Sequence, residues 1–150
     1  MKPGAIFFDS AYHVENNRKI EKFIINLNDG ESYNYIFVRT TTQRKRRSAL
    51  YGCQLLDRYP NFYLPIGSCY FTEHTWIQLE DYKEYLVAEV LDKRYKNTLQ
   101  QHAKLDDKIV DELLRCALKS DDLTLIQAKE ISIMIQKYGY STPEMHTKTL

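Results

Sequence analysis

Apolar positions recur with a period near two over the first two-thirds of the chain and near 3.6 over the last third, which predicts short strands first and helices last. Ala5 to Phe8 is an apolar run opening just after Pro3-Gly4. Phe23 to Leu27 is a β-branched run closed by Asn28-Asp29-Gly30, a strong turn signal. Tyr33 to Thr42 is rich in aromatic and β-branched residues, and Asn61 to Leu64 forms a short run stopped by Pro65. Thr75 to Leu79 alternates, with Trp76 and Gln78 on one side and Ile77 and Leu79 on the other, and Tyr85 to Leu91 reads as a last strand. From Asp106, a suitable N-cap, Ile109, Val110, Leu113, Leu114, Ala117 and Leu118 take helical spacing. Thr124 and Gln127 form a capping box ahead of an apolar stripe of Ile131, Met134, Ile135 and Tyr138, with Gly139 as a stop.

This order predicts an α+β domain, mainly β with C-terminal helices, the helices packed at one end of a small barrel or sheet. No repeat or flexible linker divides the chain, and 150 residues suffice for one hydrophobic core. The longest stretch without periodicity, Gln43 to Pro60, predicts a functional or mobile loop. The polar tail, from Ser141 onward, is expected to be loose.

Composition adds that the chain folds: 43% of residues are hydrophobic and 13% aromatic, with 12 tyrosines. The apolar start is too short for a signal peptide or membrane span, so no membrane association is expected. Cys53, Cys69 and Cys116 show no CxxC spacing, which predicts free thiols in a reducing cytoplasm and no zinc. The net charge of +1 gives no global attraction for polyanions, so any nucleic-acid site must be local. The densest charge is Arg44-Lys45-Arg46-Arg47, which would attract phosphates or simply be a solvated loop. Tyr51 lies close downstream, and aromatic faces beside cations are what single-stranded bases stack on, whereas Phe62 is expected in the core. His13, His74, His102 and His146 have no ligand spacing, so neither a metal nor a cofactor is expected. Metal-free cleavage of RNA needs only a cation, a hydroxyl donor and an acid or base, because RNA carries its own 2′-hydroxyl nucleophile. Lys22, Thr41 and Glu80 stand at strand ends where such groups are useful.

Several stretches, in order, resemble the MazF/PemK/Kid toxins. Residues 3–9 (PGAIFFD) resemble the family's opening strand, Lys22 to Leu27 its second strand and Thr41-Thr42-Gln43 the end of its third. Residues 71–80 (FTEHTWIQLE) resemble a later strand ending in an acidic residue. Asp92-Lys93 and residues 104–113 resemble the turn and C-terminal helix. The resemblance implies an SH3-like barrel over residues 1–120 with its first C-terminal helix, leaving an additional helix over 121–139 and the tail over 140–150. It also implies a homodimer, a cognate antitoxin, and sequence-selective cleavage of single-stranded RNA. The family's catalytic positions fall on Lys22, where the family has Arg, with Arg18 four residues earlier, and on Thr41 and Glu80. The family's first-loop Gly-x-Glu-Gln is absent, and His13 and Glu15 are the nearest groups in its place. The expected RNA-binding residues are Arg44, Lys45, Arg46, Arg47, Tyr51 and His13. The alternative is the same barrel without catalysis, serving as a nucleic-acid- or protein-binding module; a third is a structural or regulatory protein using its terminal helix as an interaction surface.

Overall fold

The computed structural model describes residues 1–139, so the expected tail lies outside the described residues. The strands are β1 (Ala5–His13), β2 (Lys19–Asn26), β3 (Tyr35–Thr41), β4 (Gly52–Gln54), β5 (Asn61–Leu64), β6 (Thr75–Gln78), β7 (Lys83–Tyr85) and β8 (Leu99–Lys104). The helices are α1 (Val87–Tyr95), α2 (Asp107–Lys119) and α3 (Leu125–Tyr138), and a single 3-10 turn covers Glu15–Asn17. All strand pairs are antiparallel, in the order β4-β5-β6-β3-β2-β1-β8. The α+β class is therefore present, with α2 and α3 last and α1 inserted ahead of β8. Among the described residues no ladder joins β4 to β8, so the sheet is not closed.

β3 is the hinge of this sheet. One edge pairs with β2 through Ile24↔Arg39 to Asn26↔Phe37. The other edge pairs with β7 at Tyr35 to Phe37 and with β6 at Thr40 and Thr41. One strand thus joins two ladders, the device by which a sheet turns a corner. Period-two alternation sends neighbouring residues to two different cores. Ile6, Ile25, Val38, Ile77 and Leu79 pack with Leu113, Leu114, Ile131 and Met134 of α2 and α3. Phe7, Ile24, Phe37, Tyr85 and Leu99 pack with Val90 of α1.

Two glycines and two asparagines fix the corners. Gly4 has φ +95°, and a Cβ there would collide with Val110 of α2. Gly30 has φ +72° above the Tyr35 ring. Asn26 accepts from Ala5 N at 2.8 Å and donates to Lys2 O and Asn28 O at 2.9 Å. Asn28 accepts from Ile36 N at 2.8 Å and donates to Asn34 O and Glu130. Fully satisfied in this way, buried amides specify the turn rather than weaken the core.

Several expectations are corrected. Residues 85–91 are not one strand: β7 ends at Tyr85, and α1 begins at Val87 with Glu89 accepting from Leu86 N at 3.0 Å. A short apolar run fits either period, and that local cap decides for helix. β8 (LQQHAK) has a single buried residue, Leu99, and is held as a strand by pairing with β1. Cys53 and Cys116 are not free thiols but form a disulfide tying β4 to α2, while Cys69 is free. Their 63-residue separation hides their adjacency in space. The stripe Ile131, Met134, Ile135 and Tyr138 packs against the chain's own core. No helix among the described residues is long and apolar enough to cross a membrane.

Candidate nucleic-acid interface

The face of the sheet that carries Ile24 and Phe37 runs out into a groove. Arg39 pairs with Ile24, and Lys22 and Thr41 follow at the alternate positions, so all three emerge on that face. Together with Gln78 of β6 they form the groove's floor. One wall is the β1–β2 connection, where Val14 N donates to Arg18 O at 2.8 Å and Asn16 and Asn17 take positive φ. This tight turn presents His13, Glu15 and Arg18. The opposite wall is the segment after β3, with Gln43, Lys45 and Arg47, and Asp81 lies at the edge. The cavity measures about 540 Å³.

The groove is cationic. Arg18, Lys22, Arg39, Lys45 and Arg47 are five positive groups facing two carboxylates, Glu15 and Asp81. Asp81 reaches Arg39 at 3.7 Å, beyond hydrogen-bond length, and Arg39 Nε has no partner among the described residues. Burial lowers the Lys22 pKa below its ordinary value, and the nearby Arg39 and Arg47 charges lower it further. A lysine so placed is short of a counter-anion. Thr41 Oγ1 accepts from Gln43 N at 3.1 Å, which leaves its own proton free to donate.

Lys22, Thr41, Arg18 and His13 thus come together, with Lys45 beside them. The other expected groups do not join them in the same way. Arg47 is only 4% exposed. It donates to Gln43 O at 2.9 Å, pairs with Glu80 at 3.7 Å and lies over the Tyr59 ring. Glu80 is therefore a partner of Arg47 rather than a groove carboxylate, and Asp81 takes that place. Arg44 donates to Arg47 O at 2.8 Å, closing the turn, and Arg46 is exposed outside the groove lining. Tyr51 is remote from the groove and donates to Glu112 of α2 at 2.5 Å, beside the disulfide.

The basic segment is pinned. Ser48 N and Oγ donate to Asp57 at 2.7 and 2.6 Å, Asn61 donates to the same carboxylate, and Trp76 Nε1 donates to Ser48 O at 2.8 Å.

No family model, curated protein or solved structure matches this chain. The reading of the groove therefore rests on its own chemistry. Sequence reasoning missed Arg39, which looks like one polar residue in an apolar strand. Its signal was position: Arg39 and Thr41 share a face.

Proposed function

We propose that the groove binds single-stranded RNA and cleaves it by attack of the 2′-hydroxyl on the adjacent phosphate, as a MazF/PemK/Kid-like endoribonuclease with an SH3-like barrel. The carrying observation is that Arg18 and Lys22, from the β1–β2 connection and β2, line one groove with Arg39 and Thr41 of β3 and with His13. A phosphorane carries more negative charge than the diester, so fixed cations stabilise it more than the substrate. Lys22 and Arg18 supply that charge, and Arg39 adds a planar guanidinium of the kind that suits two phosphate oxygens. Thr41 donates one hydrogen bond to the same phosphate. His13, Glu15 and Asp81 line the groove as candidates for removing the 2′-hydroxyl proton and protonating the 5′-oxygen. This chemistry needs no metal.

The test is incubation of the purified chain with a long RNA in EDTA, followed by end mapping. Fragments with 2′,3′-cyclic phosphates and 5′-hydroxyls are expected. Loss of cleavage in EDTA that magnesium or zinc restores would replace this mechanism with a metal-dependent one. Binding without cleavage under any condition would establish the second reading, a catalytically inactive binding module. Lys22 in place of Arg favours that second reading, as does the altered first loop.

A homodimer and an acidic antitoxin that covers the groove belong to the same proposal. One uncovered apolar stripe lies on α1, where Val87, Leu91 and Tyr95 are 38%, 63% and 88% exposed at four-residue intervals. Cytoplasmic RNA as the substrate places the protein in a reducing compartment, where Cys53–Cys116 would open. Activity is therefore expected to survive reduction.

A further inference from the structure

Alternation along β2 and β3 points Phe23 and Thr40 away from the groove, onto the other face. There Phe23, Tyr70 and Phe71 wall a second cavity of about 250 Å³, with Thr40, Thr42 and Glu73 among its polar lining. Phe23 and Phe71 meet edge to face at 5.4 Å, and Tyr70 and Phe71 do so at 5.7 Å, so the rings enclose space instead of stacking to fill it. Tyr70 is 44% exposed and shares a 3.0 Å hydrogen bond with His102 Nδ1, which holds the ring upright. An aromatic box of this kind, open to solvent, is more than core packing requires.

Three features indicate its occupant. Its walls suit a flat, weakly polar ring that stacks on aromatic faces, as unstacked bases of single-stranded RNA do. It adjoins the phosphate-binding groups through the backbone: Phe23 follows Lys22, and Thr40 and Thr42 flank Thr41. The Glu73 carboxylate at its rim has no hydrogen-bond or ion-pair partner among the described residues. A free carboxylate accepts two parallel N–H donors, and guanine is the base that offers two on one edge, from its ring N–H and its exocyclic amine.

We infer that this cavity is a base-reading subsite that takes one unstacked guanine of an RNA whose strand runs on past the ends of β2 and β3 into the groove. Tyr70 is the stacking platform and Glu73 the selector. The inference rests on the reading of the groove as an RNA site.

The test uses uncleavable 2′-fluoro oligouridylates carrying a single central G, A, C or U, with binding followed by fluorescence anisotropy. The G oligomer is expected to bind about tenfold more tightly than the U oligomer, within the range that one stacked base contributes. Tyr70→Ala should remove that advantage and Tyr70→Phe should keep it. Glu73→Gln should bring G down to the level of U without weakening the all-U oligomer. Lys22→Ala should weaken all four alike. Equal binding of the four oligomers, or a G preference that survives both Tyr70→Ala and Glu73→Gln, overturns the subsite. If no oligomer binds, the groove reading fails, and guanosine alone decides the cavity. Shifts at the Thr40 and Thr42 methyl resonances on adding guanosine sustain it, and their absence rejects it.

Discussion

Lys22 sits where a cation is costly for the fold and useful for the chemistry. Its folded-state pKa is below the unfolded value of 10.5, because burial and then the Arg39 and Arg47 charges disfavour the protonated form. The unfolded chain therefore binds more protons between those two values, and stability rises with pH across that window, beneath 10.5. At neutral pH the charged Lys22 is a net penalty. Lys22→Met should thus raise the melting temperature while lowering the cleavage rate by about a hundredfold or more, the scale for losing one transition-state donor. Lys22→Arg should keep or raise the rate, since a guanidinium offers two parallel donors, and Thr41→Ala should cost less than Lys22→Met. Thermal scans beside single-turnover cleavage measure both quantities; a Lys22→Met variant that is less stable, or fully active, contradicts the assignment. Arg39→Ala should be as severe as Lys22→Met in cleavage if both charges meet the same phosphate. At this scale Lys22, Thr41, Arg18 and His13 were legible because they stand at strand ends and match a familiar series. Arg47 was misread. Nothing in four consecutive cations says which one turns inward, and that is set by Glu80, Gln43 and Tyr59, drawn from 4 to 33 residues away.

Elements whose stability is local were legible, and those held by tertiary pairing were not. α2 and α3 begin beside their expected caps, and the Thr124–Gln127 box forms in both directions, at 3.0 and 3.1 Å. β8 has no apolar pattern to announce it, and β4 is three residues long within the aperiodic stretch. The imperfect alternation over residues 33–42 has a physical cause: β3 is buried on both faces, one toward α2 and α3 and the other toward α1. β4 is tied to α2 by Cys53–Cys116, yet the basic segment before it is anchored separately by Asp57 and Trp76. Burial would raise the Asp57 pKa, but hydrogen bonds from Ser48 and Asn61 and the Arg47 charge outweigh it and hold it below the usual carboxylate value. Asp57 therefore contributes stability that is present above its unfolded pKa of 3.8 and lost as pH falls through the lower folded value. Reducing the disulfide should cost about 2–4 kcal/mol of stability, the usual range for losing one disulfide, while leaving RNA cleavage unchanged. Asp57→Ala should do the opposite to function, weakening RNA binding because Lys45 loses its fixed place. Denaturant midpoints and binding curves with and without a thiol reductant separate the two effects, and a loss of cleavage on reduction alone would show that the groove depends on the disulfide.

Over the whole molecule the charge is nearly balanced, at +1, yet the groove alone gathers five cations against two carboxylates. Such asymmetry makes association with a polyanion strong at low salt and weak at high salt. The four-residue cationic run does not act as one unit in this. Arg44 and Arg46 are exposed, Lys45 lines the groove, and Arg47 is buried and paired with Glu80. Replacing Arg44, Lys45 and Arg46 by Ser should leave the fold intact and reduce the salt slope of RNA binding by up to about 2, since each neutralised phosphate on a single strand contributes about 0.7. The saturated cleavage rate should stay near that of the parent, because these groups hold the strand rather than the reacting phosphate. Arg47→Ser should instead destabilise the protein by about 1–3 kcal/mol, the scale for leaving a buried hydrogen-bond partner unsatisfied. It would strand Glu80 and free Gln43 O, and any loss of RNA binding would follow from displacement of the wall that carries Lys45. The two variants must therefore differ in kind: the triple replacement changes the salt slope at constant stability, and Arg47→Ser changes stability first. An unchanged slope in the triple variant would make the cluster an ordinary solvated loop and leave Lys22, Arg39 and Arg18 to carry the electrostatics of the groove alone.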